Sequence, residues 1–213
     1  MNKKTARALL LSAVFVIFTV LVKRVDVRMI GPEESSVGFG TLNGVIANWL
    51  GFRYSWYMIS EIAGYVALLV IGLYGLMGLL QLIKRKNLFK VDKDILVLGG
   101  FYVVVGIFYV LFNKLVVNYR PVILEEALEA SYPSSHTMLA VSAFLSAVRM
   151  ELKGSKGKTG LFVYCLWVLA AVLVISRFMS GVHWATDILG GLLLSGALLS
   201  WFDAALDKFA PEA

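Results

Sequence analysis

The sequence predicts an all-α, polytopic membrane bundle of six transmembrane helices. Of its 213 residues, 59% are hydrophobic and 16% are charged, and the mean hydropathy is +0.80. This composition is more apolar and less charged than that of soluble domains. The apolar residues form continuous runs, each near the length of a bilayer-spanning helix, rather than the alternating pattern of strands. No repeat or long linker divides the chain, so residues 1–213 are predicted to form a single membrane domain.

The first predicted span is the apolar run 8–22, which follows a basic N-terminal segment. A basic start before a short apolar run is also typical of a secretory signal peptide, which would be removed. The run is followed by Lys23-Arg24-Val25-Asp26, which lacks the small residues of a cleavage site. We therefore predict an uncleaved first helix, with a removed signal peptide as the alternative.

Five further apolar runs complete the predicted bundle. They cover approximately residues 56–83, 95–112, 134–150, 161–175 and 184–202. Between the first two spans, apolar residues recur at helical spacing at these positions: Leu42, Val45, Ile46, Trp49 and Leu50. This spacing predicts an interfacial helix in that loop, which we interpret as a surface helix packed on the bundle, with a part in guiding lipid toward the site as the alternative.

The distribution of basic residues predicts the orientation of the bundle. Thirteen cations fall on one side of the membrane: Lys3, Lys4, Arg7, Lys84, Arg85, Lys86, Lys90, Lys93, Arg149, Lys153, Lys156, Lys158 and Lys208. Seven fall on the other: Lys23, Arg24, Arg28, Arg53, Lys114, Arg120 and Arg177. The positive-inside rule makes the first side cytoplasmic, so we expect a multi-pass plasma membrane protein with both termini in the cytoplasm. The basic loops are interpreted as topology signals that contact anionic lipid, and no nucleic acid partner is expected.

A helix start is the first feature that indicates chemistry. Tyr132-Pro133-Ser134-Ser135-His136 lies where an outer loop enters the fourth span. Helix starts bind anions because their first amide groups are free and the helix dipole is positive there. Alone, these residues could simply cap a membrane helix. The histidine that ends the segment favours a functional site.

The second feature joins Ser176-Arg177 to His183 and Asp187. If the sixth helix begins near Gly181, His183 and Asp187 lie one turn apart. The carboxylate can then orient one imidazole nitrogen and leave the other free as nucleophile or base. Arg177 supplies a fork of donors suited to phosphate oxygens. An isolated His–Asp pair would more often be a polar contact between helices, but the adjacent arginine favours catalysis.

The third feature is Asn118-Tyr119-Arg120-Pro121, just beyond the third span, with Lys114 nearby. Arg120 is a second candidate ligand for an anion, and its alternative is an ion pair with an acid of the following loop. Those acids are Glu125, Glu126 and Glu129, which we expect to form a solvated face.

No metal or cofactor site is predicted. The single cysteine, Cys165, lies in an apolar run, which excludes a disulfide framework and a cysteine metal site, and no cluster of acidic residues suggests a metal. Glu61, early in the second span, is interpreted as a helix-packing or interfacial group, with a part in a conduction path as the alternative.

In order and spacing, the three features resemble the motifs of the type 2 phosphatidic acid phosphatases, membrane relatives of vanadium haloperoxidases and glucose-6-phosphatase. The family motif Ser-Arg, five residues, His, three residues, Asp is complete. In the motif Pro-Ser-Gly-His, Ser135 replaces the glycine. In the motif Lys, six residues, Arg-Pro, the lysine position holds Asn113. Lys114 is the next residue, about 100° further around a helix.

The resemblance implies a role for each residue. His183 would attack phosphorus to form a phosphohistidine, Asp187 would orient His183, and His136 would protonate the leaving group and then activate water. The implied phosphate ligands are Arg120, Arg177, Ser134, Ser135 and, with its altered register, Lys114. Neither a metal nor a cofactor is implied.

We therefore predict a metal-independent phosphatase that hydrolyses a lipid phosphate or diphosphate at the outer membrane face. Undecaprenyl diphosphate and phosphatidylglycerol phosphate are substrates in this family. The expected partners are that lipid and the bilayer, and the oligomeric state is open. One alternative is a phosphotransferase that passes phosphate to another lipid or sugar. The other is a transporter or anion-binding membrane protein, against which the ordered acid and base argue.

Overall fold

The computed structural model describes residues 2–124 and 126–211. In those ranges the chain forms seven α-helices, two short 3₁₀ helices and one small hairpin. The α-helices are α1 (Lys3–Arg24), α2 (Gly40–Leu50), α3 (Tyr54–Arg85), α4 (Lys93–Lys114), α5 (Ser135–Gly154), α6 (Leu161–Met179) and α7 (Ala185–Phe209). The antiparallel hairpin pairs β1 (Arg28–Met29) with β2 (Ser36–Val37), and the 3₁₀ helices cover Pro32–Glu34 and Leu88–Lys90. The predicted helical class is confirmed.

Helices α5 and α7 form the centre of the bundle. Helix α7 packs against α1, α4 and α5, and α5 also packs against α3, α4 and α6. On α1, Ala8, Phe15 and Val22 are buried. Their spacing places them on one stripe of the helix, which faces the bundle. Helix α1 thus packs along α7, and its retention as an uncleaved span stays a prediction.

Five of the helices, α1, α3, α4, α6 and α7, are long and apolar enough to cross a membrane. Much of their apolar surface is exposed, as at Leu69, Leu73 and Leu80 of α3, and such a large apolar surface is suited to lipid rather than water. The chain is a multi-pass membrane protein. Helix α5 is more polar and has the buried residues Ser142 and Ser146. Neighbouring helices surround α5, so these side chains face other helices rather than lipid. The count of six spans stays a prediction.

The helix expected in the first long loop is present as α2. Its buried Asn43 binds the start of α7, since Nδ2 donates to Thr186 Oγ1 (2.9 Å) and Oδ1 accepts from Thr186 N (3.3 Å). Leu42, Val45 and Trp49 are exposed. Leu50 is buried. Helix α2 is therefore attached to the bundle at its buried side, while Leu42, Val45 and Trp49 face outward as in an interfacial helix.

Three connections meet at one end of the bundle, which we call the site end. They are residues 25–53, residues 115–124 with 126–134, and residues 180–184. Gly38 N donates to Asn118 Oδ1 (3.4 Å), and Arg53 N donates to Ser180 O (3.0 Å). The opposite end, which we call the basic end, contains the connections 86–92 and 155–160.

A glycine lets α5 and α7 approach closely at the site end. A Cβ on Gly191 would lie 2.9 Å from the carbonyl oxygen of Ser134 and 3.0 Å from the Cβ of Thr137, which a packed core does not tolerate without movement. The close approach brings the first turns of both helices together, with His136 on α5 and Asp187 on α7.

Candidate active site

The structure brings the five charged residues singled out from the sequence to the site end. His136 lies in the first turn of α5, Arg177 in the last turn of α6, and Asp187 in the first turn of α7. His183 lies in the turn between α6 and α7, and Arg120 lies in the loop before α5. Contacts join them into one cluster: Arg177 lies against His136, Ser131 links His183 to Asp187, and the Trp184 indole binds the loop that carries Arg120.

The link between Asp187 and His183 differs from the one expected. Helix α7 begins at Ala185 rather than near Gly181, so His183 precedes it. His183 Nδ1 lies 3.7 Å from Asp187 Oδ2, which is beyond hydrogen-bond distance. Ser131 Oγ lies between them, 2.9 Å from His183 Nδ1 and 2.5 Å from Asp187 Oδ2. The expected one-turn spacing on a shared helix is wrong, and a serine hydroxyl connects the two side chains.

This connection determines which nitrogen of His183 carries the proton. An ionised Asp187 can only accept hydrogen bonds, so Ser131 donates its single hydroxyl hydrogen to the carboxylate. The serine oxygen can then only accept, and Nδ1–H of His183 is the donor. Nε2 of His183 is therefore the unprotonated nitrogen.

That nitrogen is available for chemistry. His183 Nε2 is buried and has no hydrogen-bond partner in residues 2–124 and 126–211. His183 lies outside the helices, and burial, followed by the charges of Arg177 and Arg120, lowers its pKa well below 6.5. The imidazole is therefore neutral at pH 7, with a free lone pair on Nε2, as a nucleophile requires.

Asp187 is fixed at the start of α7 by further donors. The backbone N of Trp184 donates to its Oδ2 (3.0 Å), and Asn118 Nδ2 donates to its Oδ1 (3.3 Å). The first contact also caps α7, because Asp187 is the third residue of that helix. The indole N–H of Trp184 donates to Tyr119 O (2.7 Å) and ties this turn to the loop before α5.

Arg177 is completely buried and connects three helices. Its Nη1 donates to Glu61 Oε1 (2.7 Å) and Ser60 Oγ (3.1 Å) of α3, and its Nη2 lies 3.2 Å from His136 Nδ1 of α5. The guanidinium also lies 5.5 Å from the ring centroid of Tyr57. Its Nε has no partner among the described residues. A buried donor left free is costly, so Arg177 retains capacity for an anionic ligand.

Arg120 forms an ion pair with an acid of the following loop, which was the alternative to its role as an anion ligand. Its Nη1 lies 2.9 Å from Glu129 Oε2, and its backbone N donates to Glu129 O (3.1 Å). The expectation that Glu129 lies on a solvated face is wrong, because this contact draws it against the site. Glu126 is exposed, and Glu125 lies outside the described residues. Arg120 Nε is also buried without a partner in the part of the chain that the structure describes.

The start of α5 offers fewer free donors than the sequence suggests. Ser134 Oγ accepts from Thr137 N (3.4 Å) and Thr137 Oγ1 (3.0 Å), and Ser134 N donates to Asp187 O (2.9 Å). The hydroxyl of Ser134 therefore caps the helix, and its amide is already used. The amides of Ser135 and His136 have no acceptor within the described ranges, so these two remain for an anion.

Lys114 stands apart from this cluster. It is the last residue of α4, its side chain is exposed, and it makes no hydrogen bond or ion pair with any residue that the structure describes. Its altered register explains this position, because a helix turns by about 100° per residue. The geometry does not support Lys114 as a phosphate ligand.

Sequence reasoning missed three side chains at the site. Glu61, interpreted as a packing or interfacial group, accepts from Arg177 and lies 3.3 Å from His136 Nε2. A carboxylate in an apolar span was the signal that could have identified it. Asn118 belongs to the segment that carries Arg120, but the sequence did not predict its contact with Asp187. No sequence pattern marks Ser131, because its contacts depend on the path of the loop.

A cavity of about 330 Å³ adjoins His136 between α3, α4 and α5. Its polar lining consists of Glu61, Ser135 and His136. The rest of its lining is Gly64, Tyr65, Leu68, Gly106, Tyr109 and Leu139. Tyr65 and Leu68 are also exposed on the surface of the bundle, so this cavity connects the polar cluster with the apolar exterior.

The cluster combines the parts that phosphoryl transfer needs. It offers a neutral imidazole as nucleophile, a second histidine beside a cavity, and arginine and amide donors for the charge of a phosphoryl group. No group of three or more His, Cys, Asp or Glu side chains suited to a metal ion occurs among the described residues.

Comparisons with known proteins agree with the architecture. Residues 94–209 match the family model described as the PAP2 superfamily. The chain is similar to a solved structure described as the first transmembrane PAP2-type phosphatidylglycerolphosphate phosphatase from Bacillus subtilis. The TM-score is 0.70 at 18% identity, over 97% of this chain and 99% of that one. At this identity the likeness shows the fold alone. No curated protein matches the chain.

Proposed function

The chain belongs to the PAP2 superfamily, and we propose that it is a lipid phosphatase that uses His183 as its nucleophile. The observation that carries this proposal is that His183 Nε2 is buried and without a partner among the described residues, while Ser131 joins Nδ1 of the same ring to Asp187. A structural histidine would use both ring nitrogens in contacts. One free nitrogen beside two arginines is the arrangement of a nucleophile beside a phosphoryl site.

In the first step, Nε2 of His183 forms a bond to phosphorus while the bond from phosphorus to the leaving oxygen breaks. His136 supplies the proton that the leaving oxygen takes up. Ser131 and Asp187 stabilise the positive charge that develops on His183 through its Nδ1–H. The donors of Arg120 and Arg177 and the amides of Ser135 and His136 bind the phosphoryl oxygens.

In the second step, water attacks the phosphohistidine. His136 accepts a proton from this water, the bond between Nε2 and phosphorus breaks, and inorganic phosphate leaves. Both histidines then return to their starting states. The mechanism needs aligned groups and positive charge rather than a metal, so we propose that turnover is metal-independent.

The cavity between α3, α4 and α5 supports a lipid substrate. Its polar lining contains His136 and Glu61, while Tyr65 and Leu68 belong both to its wall and to the apolar surface. A lipid could therefore place its phosphate near His136 while its chains stay in the bilayer. Candidate substrates are undecaprenyl diphosphate and phosphatidylglycerol phosphate.

We also propose that the site end faces the outside of the plasma membrane and that both termini are cytoplasmic. The excess of Lys and Arg at the basic end supports this orientation. Single cysteines at Glu126 and Lys156, introduced after Cys165→Ala, test it in intact cells with a membrane-impermeant thiol reagent. Labelling at position 126 alone supports the orientation, and labelling at position 156 alone reverses it.

The activity is tested with purified protein in detergent and excess chelator. Phosphate release is measured from undecaprenyl diphosphate, phosphatidylglycerol phosphate and phosphatidic acid. We expect the wild type to hydrolyse at least one of them, and His183→Ala to be inactive while it elutes as the wild type does. Undiminished turnover by His183→Ala, or a requirement of the wild type for added divalent cation, would contradict the proposal.

A further inference from the structure

The structure places a second carboxylate in the site, from a helix outside the segment 94–209 that matches the family model. Glu61 Oε1 of α3 lies 3.3 Å from His136 Nε2 and 2.7 Å from Arg177 Nη1. Its side chain is 19% exposed. Glu61 therefore contacts both the histidine that handles the leaving group and the arginine that binds phosphate.

The contacts of His136 orient its ring. A guanidinium has only donors, so Arg177 Nη2 donates to His136 Nδ1, 3.2 Å away. The proton of the neutral ring is then on Nε2, which lies 3.3 Å from Glu61 Oε1. The same ring edge faces α3 at a second point, because a Cβ on Gly64 would lie 3.4 Å from His136 Cδ2. The opposite edge, with Nδ1, faces the phosphate-binding arginine.

This arrangement parallels the one around the nucleophile. Asp187, through Ser131, fixes the proton on Nδ1 of His183 and leaves Nε2 for phosphorus. Glu61 fixes the proton on Nε2 of His136 and leaves Nδ1 toward the phosphoryl site. In each histidine, one ring nitrogen lies on the side of a carboxylate, and the other ring nitrogen lies on the side of the phosphoryl site.

We propose that Glu61 is a positioning residue that holds His136 with Nδ1 toward the leaving group and stabilises its protonated form. The inference rests on the proposed function and extends it. When substrate phosphate draws Arg177 away, Nδ1 of His136 takes up a proton from water, and the ring becomes the imidazolium that acts in the first step. That proton passes to the leaving oxygen as its bond to phosphorus breaks, while Nε2–H stays beside the Glu61 carboxylate. In the second step Nδ1 takes a proton from the attacking water.

The test compares two leaving groups in single-turnover experiments. The alkoxide of phosphatidic acid needs a proton as it leaves, whereas the anion of p-nitrophenyl phosphate does not. We expect Glu61→Gln, which keeps the size of the side chain, to slow alcohol release from phosphatidic acid by roughly 10²-fold, the usual contribution of general acid catalysis. Release of nitrophenol should slow by less than about threefold, and Glu61→Asp should restore part of the loss.

Glu129→Gln is the matched control. It removes the carboxylate that pairs with Arg120, and Glu129 has no contact with His136 among the described residues. We expect it to change both rates by the same factor. If Glu61→Gln also slows both substrates equally, Glu61 only holds Arg177, and the inference is wrong.

The pH dependence gives an independent readout. Loss of the Glu61 charge should move the basic limb of alcohol release from phosphatidic acid to lower pH, because protonated His136 loses its anion. The titratable and charged groups around His136 are Glu61 and Tyr65 of α3, Tyr109 of α4, Arg120, Arg177 and His183, and Tyr57 lies on the far side of Arg177. An unmoved limb contradicts the role of Glu61. If the wild type releases neither diacylglycerol from phosphatidic acid nor nitrophenol from p-nitrophenyl phosphate, the proposed function itself is wrong.

Discussion

The two ends of the bundle use charged residues in opposite ways. At the basic end, Lys4 pairs with Asp207 at 2.7 Å and Arg149 with Asp203 at 2.9 Å. Lys4 and Asp207 are 49% and 44% exposed, whereas Arg177 at the site end is fully buried. Exposed pairs contribute little to stability. A buried cation with a free donor costs free energy unless a ligand binds.

Cavity size alone would favour the basic end over the site end. The basic end contains cavities of about 960 and 630 Å³, larger than the 330 Å³ cavity beside His136. The charged residues around them include ion pairs such as Arg149–Asp203 and Lys153–Asp94. The site end differs because charged or catalytic-type side chains there, Arg120, Arg177 and His183, each keep a buried nitrogen without a partner among the described residues. Free nitrogens on buried arginine and histidine side chains, rather than volume or charge, therefore support the site end as the candidate site.

Among substitutions that compare the site end with the basic end, the largest loss of activity is expected at Arg177. Arg177→Lys keeps the charge but loses the planar fork of donors. We expect kcat/KM to fall by roughly 10²-fold, the scale found when a donor to a developing charge is removed. Arg149→Lys is the control at the basic end and should leave kcat/KM unchanged. Equal kcat/KM values for the two variants would remove the distinction between the ends.

A smaller effect is expected at Ser131. Ser131→Ala removes the hydroxyl that connects His183 to Asp187, so Nδ1–H is no longer fixed. Hydrogen bonds to charged groups are worth about 1.5–3 kcal/mol, so we expect kcat to fall by roughly 10- to 100-fold. KM should stay constant, because the serine does not touch the phosphate.

Ser142→Ala is the matched control for Ser131→Ala. Ser142 is also buried, and its hydroxyl has no partner among the described residues. Its removal should leave kcat unchanged and be neutral or slightly stabilising. Ser131→Thr should keep the hydroxyl and part of the activity. A full kcat for Ser131→Ala would show that Asp187 acts on His183 without the serine.

The buried imidazole also makes stability depend on pH. Because burial lowers the pKa of His183 in the folded state below 6.5, the unfolded chain binds this proton more readily. Stability from this group is therefore present above pH 6.5 and is lost as the pH falls, by at most about 1.4 kcal/mol per pH unit. Between pH 7 and 5.5, the melting temperature of the wild type should fall more than that of His183→Gln. Parallel decreases would contradict the lowered pKa.

The smallest effect is expected at the basic end. Asp203→Asn breaks the partly exposed pair with Arg149. The free energy of unfolding should change by no more than about 1 kcal/mol, and phosphate release should be unaffected. Chemical denaturation and the phosphate assay measure the two quantities. A loss of activity would show that the basic end contributes to the reaction.

The sequence predicted the helical bundle and the residues on intact motifs. Continuous apolar runs determine the spans, and the spacing of Arg177, His183 and Asp187 survives folding because they lie in one short stretch of chain. The start of α7 was placed too early, because Asp187 caps the helix through Trp184 N and leaves His183 outside. Such a cap depends on local geometry that spacing alone does not show.

The remaining contacts could not be predicted, because they join distant parts of the chain. Ser131 reaches His183 across 52 positions, and Glu61 reaches Arg177 across 116. Neither contact follows from helical periodicity. Lys114 shows the opposite error, a predicted contact that is absent from the described residues. It stands one residue away from the lysine position of the motif, and its side chain is exposed.

The most direct test of the account is to trap the phosphorylated enzyme. His136→Gln should react with ³²P-labelled p-nitrophenyl phosphate, because this leaving group needs no proton, but should hydrolyse the intermediate slowly. Rapid quenching and mass analysis of peptides should then find acid-labile, base-stable phosphate on His183, and none after His183→Ala is added. Label on another residue, or unlabelled protein during continuing turnover, would contradict nucleophilic attack by His183.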